Sequence, residues 1–209
     1  MMLFDLHVST VMSGNSLVAP EDLIDYALDL GLAGIGVTER NSYAASEVCV
    51  EFAEGLPLLI LRGLEINTDL GEMLIYGLTE LDAQVFERPG KWIAMEAVEY
   101  VRFHGGICIP AHPFDPDRPS IGEKLTTLPG VFAIEGLNGR TPDLNNQQAC
   151  RFADMMRLKV IGGSDALNLG QIGRCVTEFE QPIRDEIEFL EELRAGRYTA
   201  RYFIQHPSL

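Results

Sequence analysis

"MLFDLHV" (residues 2–8) and "PEDLIDYALDLG" (residues 20–31) together form the pattern that decides the fold. The first stretch is an apolar run of strand length, and the second has its apolar residues on one helical stripe. Pro20 suits the first turn of that helix, and Gly31 suits its end. The unit is therefore a strand followed by a helix, and it recurs toward the C-terminus.

Seven short apolar segments are predicted to be core strands. They cover about residues 3–8, 33–39, 58–66, 72–78, 107–112, 131–137 and 159–165. Only a short turn joins the third and fourth, whereas helical segments separate most of the others. Alternation of this kind predicts an α/β fold with a mainly parallel sheet, in a single domain spanning residues 1–209. An open doubly wound sheet and a barrel both fit, although no glycine-rich nucleotide-binding loop follows any strand.

Composition and charge limit the classes of function. Hydrophobic residues make up 46% and charged residues 22% of the 209 residues, as is typical of a globular protein with a real core. A net charge of -15 argues against general nucleic-acid binding, so any phosphate must be bound locally. The four cysteines are far apart and form no C-x-x-C pair, which predicts reduced thiols and a cytoplasmic location. No targeting segment or membrane-spanning run is expected.

Polar residues that can ligate a metal or move a proton follow the apolar part of six strands. They are His7, Glu39, Glu65, His112, Glu135 and Asp165. Each alone could cap a helix or be a hydrogen-bonded core group. Because the carboxyl ends of parallel strands build one rim, these groups should meet there, where a cation would offset their charge. Mixed nitrogen and oxygen ligands suit Zn, Mn or Fe.

Six motifs, in order, resemble those of the PHP family, the polymerase and histidinol phosphatase superfamily. They are "DLHVST", "GVTERN", "RGLEI", "IPAHPF", "AIEGLNGRTPDLNN" and "VIGGSDAL". The segments "IGRCVTEFEQPI" and "FLEELRAGRY" resemble the ending of its small stand-alone members. The resemblance implies a distorted TIM-like (β/α)7 barrel of the PHP type, with up to three metal ions at the C-terminal rim. Members hydrolyse phosphate esters, with the metals polarising the phosphate and activating a water.

The resemblance also implies a reduced set of metal ligands. The ligand positions that this chain retains are His7, Glu65, His112 and Asp165. The altered positions are Ser9, Arg40, Leu167 and, depending on the alignment, Glu72 or Leu74. We therefore expect one or two divalent ions, most simply one, with Glu39 and Glu72 as possible replacement ligands.

Two arginines are candidate substrate-binding residues, and two of the retained ligands are candidate catalytic residues. Arg40 either grips a phosphate through two nitrogens or forms an ion pair with Glu39 or Asp165. Arg140 either contacts the phosphate or is a solvated loop residue. His112 and Asp165 are expected to assist proton transfer.

Two functions fit these residues. The first is a metal-dependent phosphoesterase acting on a small phosphorylated metabolite or nucleotide at a reduced one- or two-metal site. The second is a catalytically impaired PHP-like protein that binds a small anion or a protein partner at the former active site. A binding module outside this family would have to match six ordered motifs by chance.

Overall fold

The computed structural model describes residues 2–88 and 90–203, and within these ranges the chain forms nine strands and six α-helices. The strands are β1 (Met2–Val8), β2 (Gly34–Arg40), β3 (Leu59–Asn67), β4 (Glu72–Tyr76), β5 (Ile107–Pro110), β6 (Ala133–Asn138), β7 (Lys159–Gly163), β8 (Cys175–Phe179) and β9 (Tyr198–Tyr202). The helices are α1 (Pro20–Asp29), α2 (Glu47–Phe52), α3 (Glu80–Ala83), α4 (Ala94–Phe103), α5 (Asp143–Met156) and α6 (Glu186–Ala195). None of the helices in the described ranges is long and apolar enough to cross a bilayer.

Seven strands form one curled sheet in the order β5-β4-β3-β2-β1-β8-β9, and β6 and β7 form a separate parallel pair. β1, β2 and β3 pair in parallel. β4 and β8 run against their neighbours and account for the antiparallel pairings of the large sheet. The α/β class is confirmed, but the expectation of a mainly parallel sheet is wrong for this sheet. The short turn after β3 reverses β4, and β8 enters the sheet beside β1 in the reverse direction.

The seven predicted strands follow one another around a distorted barrel. β5 lies beside β6, and the segment after β7 returns to the end of β1. Val8 and Ala166 form a parallel bridge there, and the Asp165 N–H donates to the His7 carbonyl at 2.6 Å. The start of β1 pairs instead with β8, one of two strands that the sequence analysis missed. The expected distorted TIM-like barrel is therefore confirmed.

Glycine in β7 lets this strand pack directly against β1. A Cβ atom at Gly163 would lie 2.4 Å from the His7 Cβ and 2.8 Å from the His7 nitrogen. Below this contact the barrel interior is filled by large apolar side chains, and α6 covers its lower end. The main members of this layer are Phe4, Leu6, Leu61, Tyr76, Phe179 and Phe189. The close packing of β1 and β7 brings the polar ends of these strands together at the opposite rim.

Candidate metal centre

Two buried histidines face each other at the C-terminal rim of the barrel. His7 lies near the end of β1, and His112 follows β5. Their ring centroids are 6.2 Å apart, with an angle of 19° between the rings. The Oε1 atom of Glu65 lies 3.5 Å from the His7 Nε2 and 3.7 Å from the His112 Nε2. One carboxylate oxygen therefore sits between two imidazoles.

Two further buried carboxylates border the same space. The Glu72 Oε2 lies 3.2 Å from the His112 Nε2, and the Asp165 Oδ1 lies 3.8 Å from the His7 Nε2. The rim thus brings together the four ligand positions named from the sequence, and Glu72 with them. Leu74, the alternative to Glu72, is buried in the apolar interior of the barrel.

The other ring nitrogen of each histidine also has a partner. The His7 Nδ1 is 2.9 Å from Glu135 Oε1, and the His112 Nδ1 is 3.4 Å from the Ser120 hydroxyl. The Ser120 hydroxyl donates its own proton to the His112 carbonyl, so its oxygen accepts from the ring. We therefore assign a protonated Nδ1 to both rings from this hydrogen-bond network. Both Nε2 atoms then face the carboxylates at the centre.

The backbone is in the left-handed region at two of these residues. His112 has φ +30° and Asp165 has φ +51°. Such conformations are uncommon outside glycine and cost on the order of 1 kcal/mol each, so surrounding contacts must hold them. The His112 N–H donates to Glu135 Oε2 at 2.9 Å, and the Asp165 N–H bonds to β1. Strain of this kind concentrates at functional sites.

The geometry fits a divalent ion. Glu65, Glu72 and His112 each offer one ligand atom, and these three atoms lie within 4.8 Å of one another. All three residues are buried. Zinc binds nitrogen and oxygen at about 2.0–2.2 Å, which places tetrahedral ligand atoms roughly 3.3 Å apart. The His112 Nε2 is buried and has no hydrogen-bond partner among residues 2–88 and 90–203. A cation would satisfy this nitrogen and both facing carboxylate oxygens.

The surrounding carboxylates favour the protonated, positively charged form of both imidazoles. Burial lowers the pKa of His112, but the nearby Glu65 and Glu72 carboxylates outweigh it and raise the pKa to about 9. Burial also lowers the pKa of His7, whereas Glu135 and Asp165 raise it well above its usual value. Protons therefore occupy the positions that a metal would take, and metal binding would release them.

Arg40 contacts both central glutamates from outside. Its Nη2 donates to Glu65 Oε2 at 2.6 Å, and its Nη1 donates to Glu72 Oε1. These are the oxygens that face away from the histidines, so Glu65 Oε1 and Glu72 Oε2 stay available for an ion. The ion-pair partners expected for Arg40 were Glu39 or Asp165, and the observed partners differ.

Asp165 is bound by two other arginines. Arg140 donates to its Oδ1 at 3.1 Å, as its predicted position at the rim allows, and Arg118 donates to its Oδ2. Arg118 also binds Asp115, Asn138 and Thr141 at 2.7, 3.1 and 3.0 Å. Burial raises the pKa of Asp165, but the positive charges of His7 and Arg118 lower it by more, so the net shift is downward. Sequence reasoning missed Arg118, because it lies within a loop and follows no strand.

Glu39 lies outside this cluster. Its carboxylate accepts from the Thr10 N–H at 3.0 Å, from the Thr10 hydroxyl and from the Ser13 hydroxyl. The Ser13 hydroxyl oxygen in turn accepts from the Arg40 N–H at 3.0 Å. Glu39, near the end of β2, therefore binds the loop after β1, and the structure does not bring its carboxylate into the cluster.

Known proteins resemble this chain in sequence and fold. The PHP-associated family matches residues 143–198. An uncharacterized protein from Methanocaldococcus jannaschii is 23% identical over 137 residues, which are 61% of this chain and 77% of that protein.

Two solved structures illustrate the likeness in fold. One is a two-domain protein from Bacteroides vulgatus that contains a predicted PHP-like metal-dependent phosphoesterase, with a TM-score of 0.79 and 23% identity. The match covers 96% of this chain and 64% of that protein, so this chain spans less than two thirds of its length. The other is Endonuclease Q in complex with a 27-mer duplex bearing an abasic lesion, with a TM-score of 0.68, 16% identity and coverage of 95% and 58%. The resemblance to the PHP family is thus confirmed: this chain has the PHP-like fold, and its C-terminal part matches the PHP-associated family.

Proposed function

We propose that this chain is a metal-dependent phosphoesterase with a single divalent ion, acting on a small phosphorylated metabolite or nucleotide. The observation that carries this proposal is the meeting of Glu65, Glu72 and the His112 Nε2, a buried nitrogen that faces both carboxylates without a well-aligned hydrogen bond, at the rim of a PHP-like barrel. His7 and Asp165 border the same space.

The balance of charge supports one ion. The carboxylates at the rim are Glu65, Glu72, Asp115, Glu135 and Asp165, and the guanidiniums are Arg40, Arg118 and Arg140. With both histidines neutral, five negative and three positive charges leave a deficit that one divalent cation offsets. The three arginines then supply the positive charge that additional metal ions would supply in a three-metal site, such as the sequence resemblance implies for other members.

The residues have distinct proposed roles. Glu65, Glu72 and His112 hold the ion, with His7 and Asp165 as further ligands, and this donor set suits Zn, Mn or Fe. When bound, the ion supplies Lewis-acid polarisation of the phosphate and activation of water.

Arg40 and Arg140 present guanidiniums at the outer side of the cluster, where they can bind phosphate oxygens. Asp165 is the proposed proton-transfer group. His112 was expected to share this role, but its Nε2 faces the proposed ion and its Nδ1 is hydrogen-bonded to Ser120. Asp165 is bound by two arginines, which favours its ionised form.

The substrate is proposed to be small. The net charge of -15 disfavours a long polyanion, whereas local arginines suffice for one phosphate. Because Endonuclease Q was solved with a DNA duplex, a duplex with an abasic site belongs among the compounds tested. Free cysteines at positions 49, 108, 150 and 175 support a reducing compartment, and we propose the cytoplasm.

The test is metal analysis of protein purified without chelator, followed by a hydrolysis screen. We expect about one ion per chain and metal-dependent release of phosphate from at least one phosphorylated metabolite or nucleotide. Hydrolysis of the duplex alone would overturn the assignment to small substrates. Phosphate binding without metal or hydrolysis would instead favour the impaired, anion-binding relative.

A further inference from the structure

Glu135 is a completely buried carboxylate that contacts both histidines of the candidate metal centre. It lies on β6 with 0% exposure. Its Oε1 accepts from the His7 Nδ1 at 2.9 Å, and its Oε2 accepts from the His112 backbone N–H at 2.9 Å. It therefore lies behind the histidines, on the side opposite the proposed ion.

We propose that Glu135 is a positioning residue that orients both histidines toward the ion. It fixes the ring tautomer of His7 and the backbone turn that carries His112. The inference rests on the metal centre of the proposed function, but the contacts of Glu135 exist in the metal-free protein and can be tested there.

The effect on His7 follows from its two ring nitrogens. A carboxylate that accepts from Nδ1 favours the tautomer with Nδ1–H, because the other tautomer would set a lone pair against the carboxylate. Nε2 is then unprotonated in the neutral ring and faces Glu65 Oε1 at 3.5 Å and Asp165 Oδ1 at 3.8 Å. Carboxylates that orient a ligating histidine in this way commonly contribute about 10- to 100-fold to metal affinity.

The effect on His112 acts through the backbone. At φ +30° the residue is in an unfavourable conformation, and the bond from its N–H to Glu135 holds the turn in place. With the turn fixed, the His112 Nε2 lies 3.2 Å from Glu72 Oε2. One buried carboxylate therefore holds two histidines, one on β1 and one in the loop after β5.

Neighbouring groups restrict Glu135 itself. The Asn138 Nδ2 lies 3.0 Å from Glu135 Oε2 and 3.1 Å from Asp165 Oδ2, so the amide ties Glu135 to a third candidate ligand. A Cβ at Gly163 would lie 2.8 Å from Glu135 Oε1, which shows that β7 closes the space on that side. The carboxylate is held in place and cannot move away from His7 toward this strand.

The experiment replaces the carboxylate with its isosteric amide. In Glu135→Gln, the amide NH2 would meet either the His7 ring, the His112 N–H or the Asn138 amide with donor against donor. We expect the zinc dissociation constant, measured by chelator competition, to rise about 10- to 100-fold. Glu192→Gln is the matched control, because Glu192, on α6 and away from the rim, is also buried but pairs with Arg197 just beyond the end of that helix. Its zinc affinity should not change.

The second readout is the hydrogen bond between the His7 Nδ1–H and Glu135. The chain has four histidines, so ¹⁵N-histidine labelling gives a small set of imidazole signals. In the wild type, with and without zinc, the His7 Nδ1 proton should be hydrogen-bonded and slow to exchange. In Glu135→Gln it should exchange faster. An unprotonated His7 Nδ1 in the wild type would overturn the inference without any variant, even if Glu135→Gln did not fold.

The two proposals fail separately. If wild-type protein does not bind zinc, the metal centre is wrong, yet faster exchange of the His7 Nδ1 proton in metal-free Glu135→Gln still supports the role of Glu135. If wild-type protein binds zinc and Glu135→Gln binds it equally well with the same Nδ1 signal, Glu135 does not position the ligands.

Discussion

Arg40 binds Glu65 through Oε2, the oxygen turned away from the histidines, and so leaves Oε1 between the two imidazoles. Its Nε is buried and has no hydrogen-bond partner in the described part of the chain, and its side chain is 31% exposed. The guanidinium thus neutralises charge at the glutamates, and the exposed part of the side chain is the part proposed to bind an anion.

Arg40→Ala is therefore expected to weaken phosphate binding while leaving zinc binding intact or stronger. A lost charged hydrogen bond corresponds to a decrease in affinity of about tenfold for inorganic phosphate. Removal of a positive charge beside Glu65 and Glu72 favours a cation. Isothermal titration with phosphate and with zinc measures both, and Arg201→Ala on β9 is the control. Unchanged phosphate affinity would leave Arg40 as a structural ion-pair partner only.

Glu72→Gln is expected to lose zinc binding. The substitution removes the oxygen that lies 3.2 Å from the His112 Nε2 and keeps the size of the side chain. The dissociation constant for zinc should rise about 100-fold or more, above the loss typical of a residue that only orients a ligand. Glu80→Gln on α3 is an exposed control. If Glu72→Gln binds zinc as tightly as the wild type, the ion is held by His7, Glu65 and Asp165 instead.

The strands and strand-end residues were predictable because their signals are local. Apolar runs of strand length gave β1 to β7, and parallel geometry placed His7, Glu65 and Asp165 at one rim. β8 and β9 were missed because "CVTEF" and "YTARY" mix charged and apolar residues. β8 is placed by its pairing with β1, far away in sequence, and β9 is the edge strand that pairs with β8.

The contacts of the arginines could not be read from the sequence. Arg118 reaches Asp165 across 47 positions, and this pair forms only once β7 has returned to β1. The partners of Arg40 likewise depend on the curvature that brings the start of β4 beside β2 and β3. A strand-end carboxylate such as Glu39 fits the same sequence pattern as Glu65, yet hydroxyl groups in the loop after β1 bind it first.

Zinc binding is expected to strengthen as pH rises from about 6.5 to about 8.5, in the range set by the histidine pKa values. In the metal-free protein, Glu65 and Glu72 raise the pKa of His112 to about 9 against the lowering effect of burial. This raised pKa stabilises the folded state fully below the pKa of the unfolded chain, and that stabilisation is lost as pH rises toward 9. Zinc must displace the His112 proton, so competition from the proton weakens as pH rises over the same range.

The measurement is the melting temperature with and without zinc across this pH range. The metal-free value should fall with pH relative to the zinc-bound value, so the difference between them should widen. Calorimetry in buffers of different ionisation enthalpy should detect proton release at the lower pH. A zinc-induced shift that narrows with pH would contradict the assignment of His112 as a ligand.

Gly163→Ala is expected to disturb the metal centre through packing alone. The new Cβ would lie 2.4 Å from the His7 Cβ and 2.8 Å from Glu135 Oε1, so β7 must move away from β1. Overpacking of this kind costs about 1–3 kcal/mol of folding free energy, which denaturant unfolding measures. Zinc affinity should fall as well, because the His7 ring is displaced from Glu65. Gly170→Ala is the matched control, since a Cβ there would meet only the Asn168 side chain at an ordinary 3.6 Å. If Gly163→Ala lost stability but kept full zinc affinity, His7 would lie outside the set of residues that hold the ion.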